Sequence, residues 1–141
     1  MILLDTNVPI YALRTSESGI RYRSWARGII SEGVASAGAG INAISLAEMC
    51  VGVDDPELVV TEIRAWGIEI LDIPAAASLS SACAYQTYRQ RRRRQSALDA
   101  PPTPLPDFFI GAHAEVMGYT LATADASRFR TYFPQVALIT P

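Results

Sequence analysis

Lysine is absent from this 141-residue sequence, so all 12 of its basic residues are arginines. This absence excludes a P-loop lysine, a Schiff-base lysine and the lysine of a phosphoacceptor receiver domain. Histidine occurs once, as His113, and cysteine twice, as Cys50 and Cys83, which argues against a zinc site and a disulfide framework. We interpret the cysteines as small hydrophobic residues and the histidine as structural.

Long apolar runs are also missing, although 50% of the residues are apolar. Charge, glycine or proline interrupts each run before the roughly 20 residues that a membrane span needs. No basic segment precedes the apolar run Met1 to Leu4, so no signal peptide is expected. We predict a single domain over residues 1–141 in a cytoplasmic protein without membrane contact. With a net charge of −2, binding to a polyanion would depend on local basic patches or metal ions.

Short apolar segments alternate with helical patterns along the chain. The predicted strands are Met1–Leu4, Ile41–Ile44, Ile68–Ile73, Tyr119–Thr123 and Val136–Ile139. The first predicted helix follows Asp5, the second spans Arg21–Ile30, the third begins at Ser45, and the fourth runs from Pro56 to Gly67. The fifth runs from Pro74 to about Arg94, the sixth from Asp107 to Met117, and the seventh follows Asp125 up to Tyr132. Ser96 to Pro106 is predicted to be a loop. This alternation predicts a three-layer α/β/α sandwich with a mostly parallel central sheet.

Capping signals set several of these boundaries. Ser45 followed by Glu48 matches a capping box, and Asp107 is a suitable N-cap for its helix. Gly33 provides a stop for the second predicted helix.

Four acidic residues stand where a strand or loop meets the start of a helix: Asp5, Glu48, Asp107 and Asp125. In parallel sheets, the carboxyl ends of strands and the N-termini of helices meet at one rim, so we expect the four side chains there. Taken singly, each acid can be explained as a helix cap or a first-turn residue. Gathered together, carboxylates repel one another unless a cation joins them. No arginine lies within five residues of Asp5, Glu48 or Asp107 to neutralise their charge.

Oxygen ligands of this kind indicate which cation to expect. Carboxylates and retained waters suit Mg²⁺ or Mn²⁺, whereas zinc prefers histidine and cysteine. One or two such ions can bind a phosphate, activate a water for in-line attack and stabilise the departing oxygen. The four acids therefore predict metal-dependent phosphodiester hydrolysis that leaves a 5′-phosphate and a 3′-hydroxyl.

Four segments resemble, in order, the motif blocks of PIN-domain ribonucleases, in particular VapC-type toxins of bacterial toxin-antitoxin pairs. They are Met1–Asn7, Ser45–Gly52, Pro106–Ala114 and Leu121–Pro134, which together span nearly the whole chain. The resemblance implies that the metal-binding and catalytic residues are Asp5, Glu48, Asp107 and Asp125. It also implies that Asn7 and Thr123 flank the pocket.

The same resemblance implies a Mg²⁺- or Mn²⁺-dependent endoribonuclease that acts on RNA as a homodimer. It further implies a cognate antitoxin protein, whose C-terminal segment wraps the toxin and which supplies the DNA contacts when the complex represses its operon. The chain departs from the pattern at Ala124, where many relatives carry arginine or lysine.

Other interpretations of the sequence remain open. A phosphatase that phosphorylates Asp5 would need a second aspartate at position 7, where Asn7 stands. A non-catalytic PIN-like domain that binds RNA or protein is the main alternative. Arg89 and Arg91–Arg94 form a basic cluster that fits either a solvated helix end or a contact with the RNA backbone.

Overall fold

The computed structural model describes residues 1–13, 17–96 and 100–141, so part of the predicted loop from Ser96 to Pro106 lies outside the described residues. The described strands are β1 (Ile2–Leu4), β2 (Ala39–Asn42), β3 (Glu69–Leu71), β4 (Thr120–Ala122) and β5 (Leu138–Ile139). The described helices are α1 (Asn7–Leu13), α2 (Glu17–Ala35), α3 (Ala43–Cys50), α4 (Pro56–Ala65), α5 (Ala76–Ser96), α6 (Pro106–Met117) and α7 (Ser127–Tyr132). Among these helices, none combines the length and apolar character needed to cross a membrane.

The five strands form one sheet in the order β3-β2-β1-β4-β5, and every neighbouring pair is parallel. Leu3 lies at the centre, paired with Gly40 on one side and Leu121 on the other. After β1, the chain adds β2 and β3 on one side of this strand and then β4 and β5 on the other side. The order of strands therefore reverses at β1, and ligands of such sheets bind beyond the carboxyl ends of the strands at this reversal.

Two hydrophobic cores lie on opposite faces of the sheet. Side chains alternate between the faces along β1, so Ile2 and Leu4 enter one core and Leu3 enters the other. The first core is covered mainly by α1, α2 and α4, and the second by α5, α6 and α7. The predicted three-layer α/β/α architecture is therefore confirmed, and the sheet is entirely parallel rather than mostly so.

Close packing in the second core fixes the position of α7. A Cβ atom placed on Gly111 would lie 2.4 Å from the ring of Phe133, so α6 can approach this ring only because residue 111 is glycine. Phe108 also packs against Phe133, with ring centroids 6.1 Å apart. Since Phe133 directly follows α7, these contacts hold α7 against α6.

The predicted end of the second helix is wrong. The expected helix Arg21–Ile30 is in fact Glu17–Ala35 and continues through Gly33. This glycine is useful inside the helix, because a Cβ there would lie 3.0 Å from the Cβ of Ala39. The chain turns instead at Gly38, whose φ of 83° favours glycine.

Two predicted caps are also wrong. The N-cap of α3 is Asn42, whose side chain accepts hydrogen bonds from the backbone N–H groups of Ile44 and Ser45. The helix therefore begins before Ser45, no capping box forms, and Glu48 lies in the second turn of α3. Asp107 lies in the first turn of α6 rather than at its N-cap. The remaining strand and helix boundaries differ from the prediction by a few residues.

Candidate functional site

All four predicted acids line one cavity of about 440 Å³, which we call the acid cavity. It lies beyond the carboxyl end of β1, where the strand order reverses. Its lining residues are Asp5, Thr6, Asn7, Ile10, Tyr11, Glu48, Asp107 and Asp125. The fold thus brings together four carboxylates that come from four separate parts of the sequence.

Asp5 directly follows the central strand and is only 5% exposed. One carboxylate oxygen, Oδ1, accepts a hydrogen bond of 2.8 Å from the backbone N–H of Thr6. The other, Oδ2, accepts bonds of 2.7 Å from the hydroxyl of Thr123 and 2.5 Å from the side-chain amide of Asn7. Donors on both oxygens fix the orientation of this carboxylate.

Asn7 and Thr123 also hold the loop after β4 against the loop after β1. The side-chain oxygen of Asn7 accepts a 3.0 Å bond from the backbone N–H of Ala124. The hydroxyl oxygen of Thr123 accepts a 3.0 Å bond from the backbone N–H of Asp125. Both residues lie beside the acids, and their bonds set the separation between Asp5 and Asp125.

Glu48 extends toward the acid cavity from α3, where it is partly buried. Its Oε2 accepts a 2.5 Å hydrogen bond from the hydroxyl of Thr6. Because the backbone N–H of Thr6 donates to Asp5, this one threonine orients two of the carboxylates.

Asp107 forms an ion pair with Arg128, which belongs to α7. The side chains of Arg128 and Asp107 are 37% and 33% exposed, so solvent weakens the contribution of the pair to stability. Sequence reasoning missed this pair because Arg128 is 21 positions from Asp107 along the chain. A usable signal was the place of Arg128 in the fourth motif block, three residues after Asp125.

Asp125 is the most exposed of the four acids, and its carboxylate is supported by its own loop. Its Oδ1 accepts hydrogen bonds from the hydroxyl of Ser127 at 2.7 Å and from the backbone N–H of Ser127 at 3.2 Å. These bonds lower the pKa of Asp125, and the nearby charge of Arg128 adds to the effect. Asp125 is therefore ionised at neutral pH.

The acid cavity holds excess negative charge. The pKa of Asp5 is raised from 3.8 to about 6, mainly by burial and to a smaller extent by the charges of Asp107 and Glu48. Hydrogen bonds from Thr123 and Thr6 oppose this rise by stabilising the charged form. A bound cation would offset the free-energy cost that burial and repulsion impose on the charged form of Asp5.

The donor set fits a hydrated hard cation better than zinc. Within the described residues, no three histidine, cysteine or acidic side chains are arranged as a ready-made metal site. Mg²⁺ usually retains several waters and binds proteins through one or two carboxylates, so it does not require a closed protein cage. His113 offers no zinc ligand here, because it is buried in the core with its ring against Tyr119. Burial lowers the pKa of His113, which agrees with a structural role.

Comparison with known proteins gives one family match and several similar folds. The family model for the PIN domain matches residues 2–133. The fold is similar to VapBC2 from Rickettsia felis bound to a DNA fragment from their promoter, with 20% identity, a TM-score of 0.67, and 100% of this chain and 99% of that chain covered. It is also similar to FitAB bound to the IR36 DNA fragment, with 25% identity, a TM-score of 0.64, and coverage of 100% and 95%. A toxin-antitoxin complex from Klebsiella pneumoniae gives 20% identity, a TM-score of 0.62, and coverage of 100% and 98%. No curated protein matches the chain.

Proposed function

Because the chain belongs to the PIN domain family, we propose that it is a Mg²⁺- or Mn²⁺-dependent endoribonuclease and the toxin of a toxin-antitoxin pair. The resemblance that the sequence predicts is thus confirmed at the level of the family. The observation that carries the proposal is the meeting of Asp5, Glu48, Asp107 and Asp125 in one cavity beyond the central strand.

In this proposal, the four carboxylates hold the cation, and Asp5 is the best-oriented ligand. Three donors hold Asp5, and Thr6 holds Glu48, so both carboxylates are positioned before any ligand arrives. When bound, the cation polarises the phosphate and lowers the pKa of a water for in-line attack. Arg128 neutralises Asp107, and in this proposal its guanidinium also contacts the scissile phosphate.

The proposed partners follow from the similar complexes. One similar structure is a toxin-antitoxin complex, and two others are bound to DNA. We therefore propose that this chain binds a cognate antitoxin and joins it in a complex on operator DNA. The same proposal includes three further properties. The chain forms a single domain over residues 1–141, assembles into a homodimer and is located in the cytoplasm.

RNA cleavage by the purified chain, freed of any antitoxin, is the direct test. We expect Mg²⁺ or Mn²⁺ to support cutting of RNA into products with 5′-phosphate ends, and EDTA to stop it. Asp5→Ala should abolish cutting, whereas Asp54→Ala, an exposed acid outside the acid cavity, should leave it unchanged. Undiminished cutting by the Asp5 variant would reject the proposal.

A non-catalytic PIN-like domain is the second candidate, and one observation favours it. Arg128 already pairs with Asp107, so part of the negative charge in the acid cavity is neutralised by the protein itself. Calorimetry with Mn²⁺ distinguishes the two candidates, together with growth of cells that express the chain alone. Absence of both metal binding and growth inhibition would favour the non-catalytic domain.

A further inference from the structure

A groove lined by arginines adjoins the acid cavity on the side of α7 and α5. It consists of two neighbouring cavities of about 380 and 260 Å³ that share Arg91, Gln95 and Tyr132. We call it the basic groove, and its lining residues are Tyr88, Arg91, Arg92, Gln95, Ser96, Ser127, Arg128, Thr131 and Tyr132. No carboxylate appears among these lining residues, although the chain as a whole carries a net charge of −2.

Two bonded pairs connect the basic groove to the acid cavity. Arg128 lines the groove and pairs with Asp107, which lines the acid cavity. Ser127 lines the groove and donates its hydroxyl hydrogen bond to Asp125, which also lines the acid cavity. A polymer whose scissile phosphate sits among the acids can therefore continue into the groove past α7.

Arg91 and Arg92 of α5 line the basic groove. Arg92 donates a 2.8 Å hydrogen bond to the hydroxyl of Tyr88, which fixes part of its guanidinium. A guanidinium that lines a groove is a strong hydrogen-bond donor to a phosphate oxygen. Arg91 lines both cavities of the groove and is exposed.

We propose that the basic groove binds the phosphate backbone of the RNA strand that flanks the cleavage site. The proposal rests on the proposed nuclease function and assigns a role to the basic cluster at the end of α5. Arg128 neutralises the phosphate nearest the acids, and Arg91 and Arg92 bind the next part of the strand. These contacts are independent of base sequence, so the groove contributes affinity and direction rather than sequence choice.

RNA binding measured without catalysis tests this role. The full chain is titrated into a fluorescent single-stranded oligoribonucleotide in EDTA at low salt, and binding is followed by anisotropy. Arg91→Ala should weaken binding about 3- to 10-fold and reduce the slope of log affinity against log salt by about 0.7, the value for one single-strand phosphate contact. Arg94→Ala is the matched control, because Arg94 is exposed on the same helix and lines neither cavity.

Further readouts separate this proposal from the nuclease function. If the chain cleaves RNA, Arg91→Ala should raise KM with little change in kcat, and Arg91→Lys should restore part of the affinity. Equal binding by the Arg91 and Arg94 variants, or no RNA binding by the unmodified chain, would overturn the groove proposal whether or not cleavage occurs. Loss of duplex DNA binding with unchanged RNA binding in Arg91→Ala would overturn it as well. RNA binding that depends on Arg91 would support it even if no cleavage were found.

Discussion

Arg128 and Asp107 are 21 positions apart in the sequence, yet their side chains form an ion pair at the boundary between the acid cavity and the basic groove. Under the proposed function, a metal ion would compete with Arg128 for Asp107, and a phosphate would compete with Asp107 for Arg128. Binding of RNA would give Arg128 a phosphate oxygen in place of the carboxylate. Asp107 would then be released to hold a cation.

Arg128→Gln should therefore strengthen metal binding in the absence of RNA. Removal of the guanidinium leaves the carboxylate of Asp107 unpaired and increases the negative potential in the acid cavity. Calorimetry with Mn²⁺ should show a several-fold lower dissociation constant, while the free energy of unfolding changes by less than about 1 kcal/mol, as expected for a pair whose side chains are 37% and 33% exposed. Arg130→Gln, two residues along the same helix, is the control. An unchanged dissociation constant in the Arg128 variant would mean that the pair does not restrain Asp107.

Asp5→Asn should abolish cleavage and remove part of the pH dependence of the metal-free fold's stability. The pKa of Asp5 is about 6 in the folded protein and 3.8 ordinarily, so the folded state holds its proton more tightly. This preference stabilises the fold fully below pH 3.8 and is lost as pH rises toward 6, which leaves a buried charge above that pH. Between pH 4 and pH 7.5, the stability of the variant should improve relative to that of the unmodified chain by on the order of 1 to 3 kcal/mol.

Urea unfolding in EDTA at several pH values measures this effect. The free energy of unfolding of Asp5→Asn minus that of the unmodified chain should rise from pH 4 to pH 7.5. Asp54→Asn, at an exposed acid, should show no such dependence. A difference that grows as pH falls would have the wrong sign.

Thr123→Val should impair metal binding although residue 123 is not itself an acid. The substitution removes the hydroxyl that donates to Asp5 and accepts from the backbone N–H of Asp125. Loss of an oriented outer partner lowers metal affinity or activity about 10- to 100-fold in known metal sites. Mn²⁺ calorimetry and RNA cleavage should both show the loss. Thr123→Ser keeps the hydroxyl and should retain most of both, and equal losses in the two variants would argue against the hydrogen bonds as the cause.

Gly111→Ala should destabilise the protein by about 1 to 3 kcal/mol, because the new methyl group would meet the Phe133 ring at 2.4 Å. Gly28→Ala is a matched control in α2, where an added Cβ meets no atom within 4 Å. There the better helix propensity of alanine should stabilise the fold by about 0.5 to 1 kcal/mol. The midpoint temperature of thermal unfolding should fall for Gly111→Ala and rise for Gly28→Ala. A stable Gly111 variant would show that α6 and α7 can separate without cost.

The sequence predicted most of the fold because its strands and helices carry strong local signals. Met1 to Leu4 is apolar and ends at an aspartate, and Asp55 with Pro56 marks the start of α4, where both are found. Because parallel strands expose their carboxyl ends on one side, the shared position of the four acids followed from topology alone.

The features that were predicted incorrectly or missed depend on tertiary contacts, which local sequence patterns do not reveal. Ser45 and Asn42 are both good N-caps, and the choice of Asn42 depends on where β2 leaves the sheet. Gly33 looked like a helix end, but its role is to let α2 pack against Ala39. Arg128 reaches Asp107 from α7, so this pair depends on the packing of α7 against α6.

Asn42 ends β2 and caps α3, so strand and helix join with no intervening residue. Inserting one residue at this junction would rotate α3 by about 100° and swing Glu48 away from Thr6. The position of Glu48 in the acid cavity is therefore sensitive to the length of this junction. Variation that alters affinity for RNA is better accommodated on α5, whose exposed arginines can be exchanged without disturbing the acids.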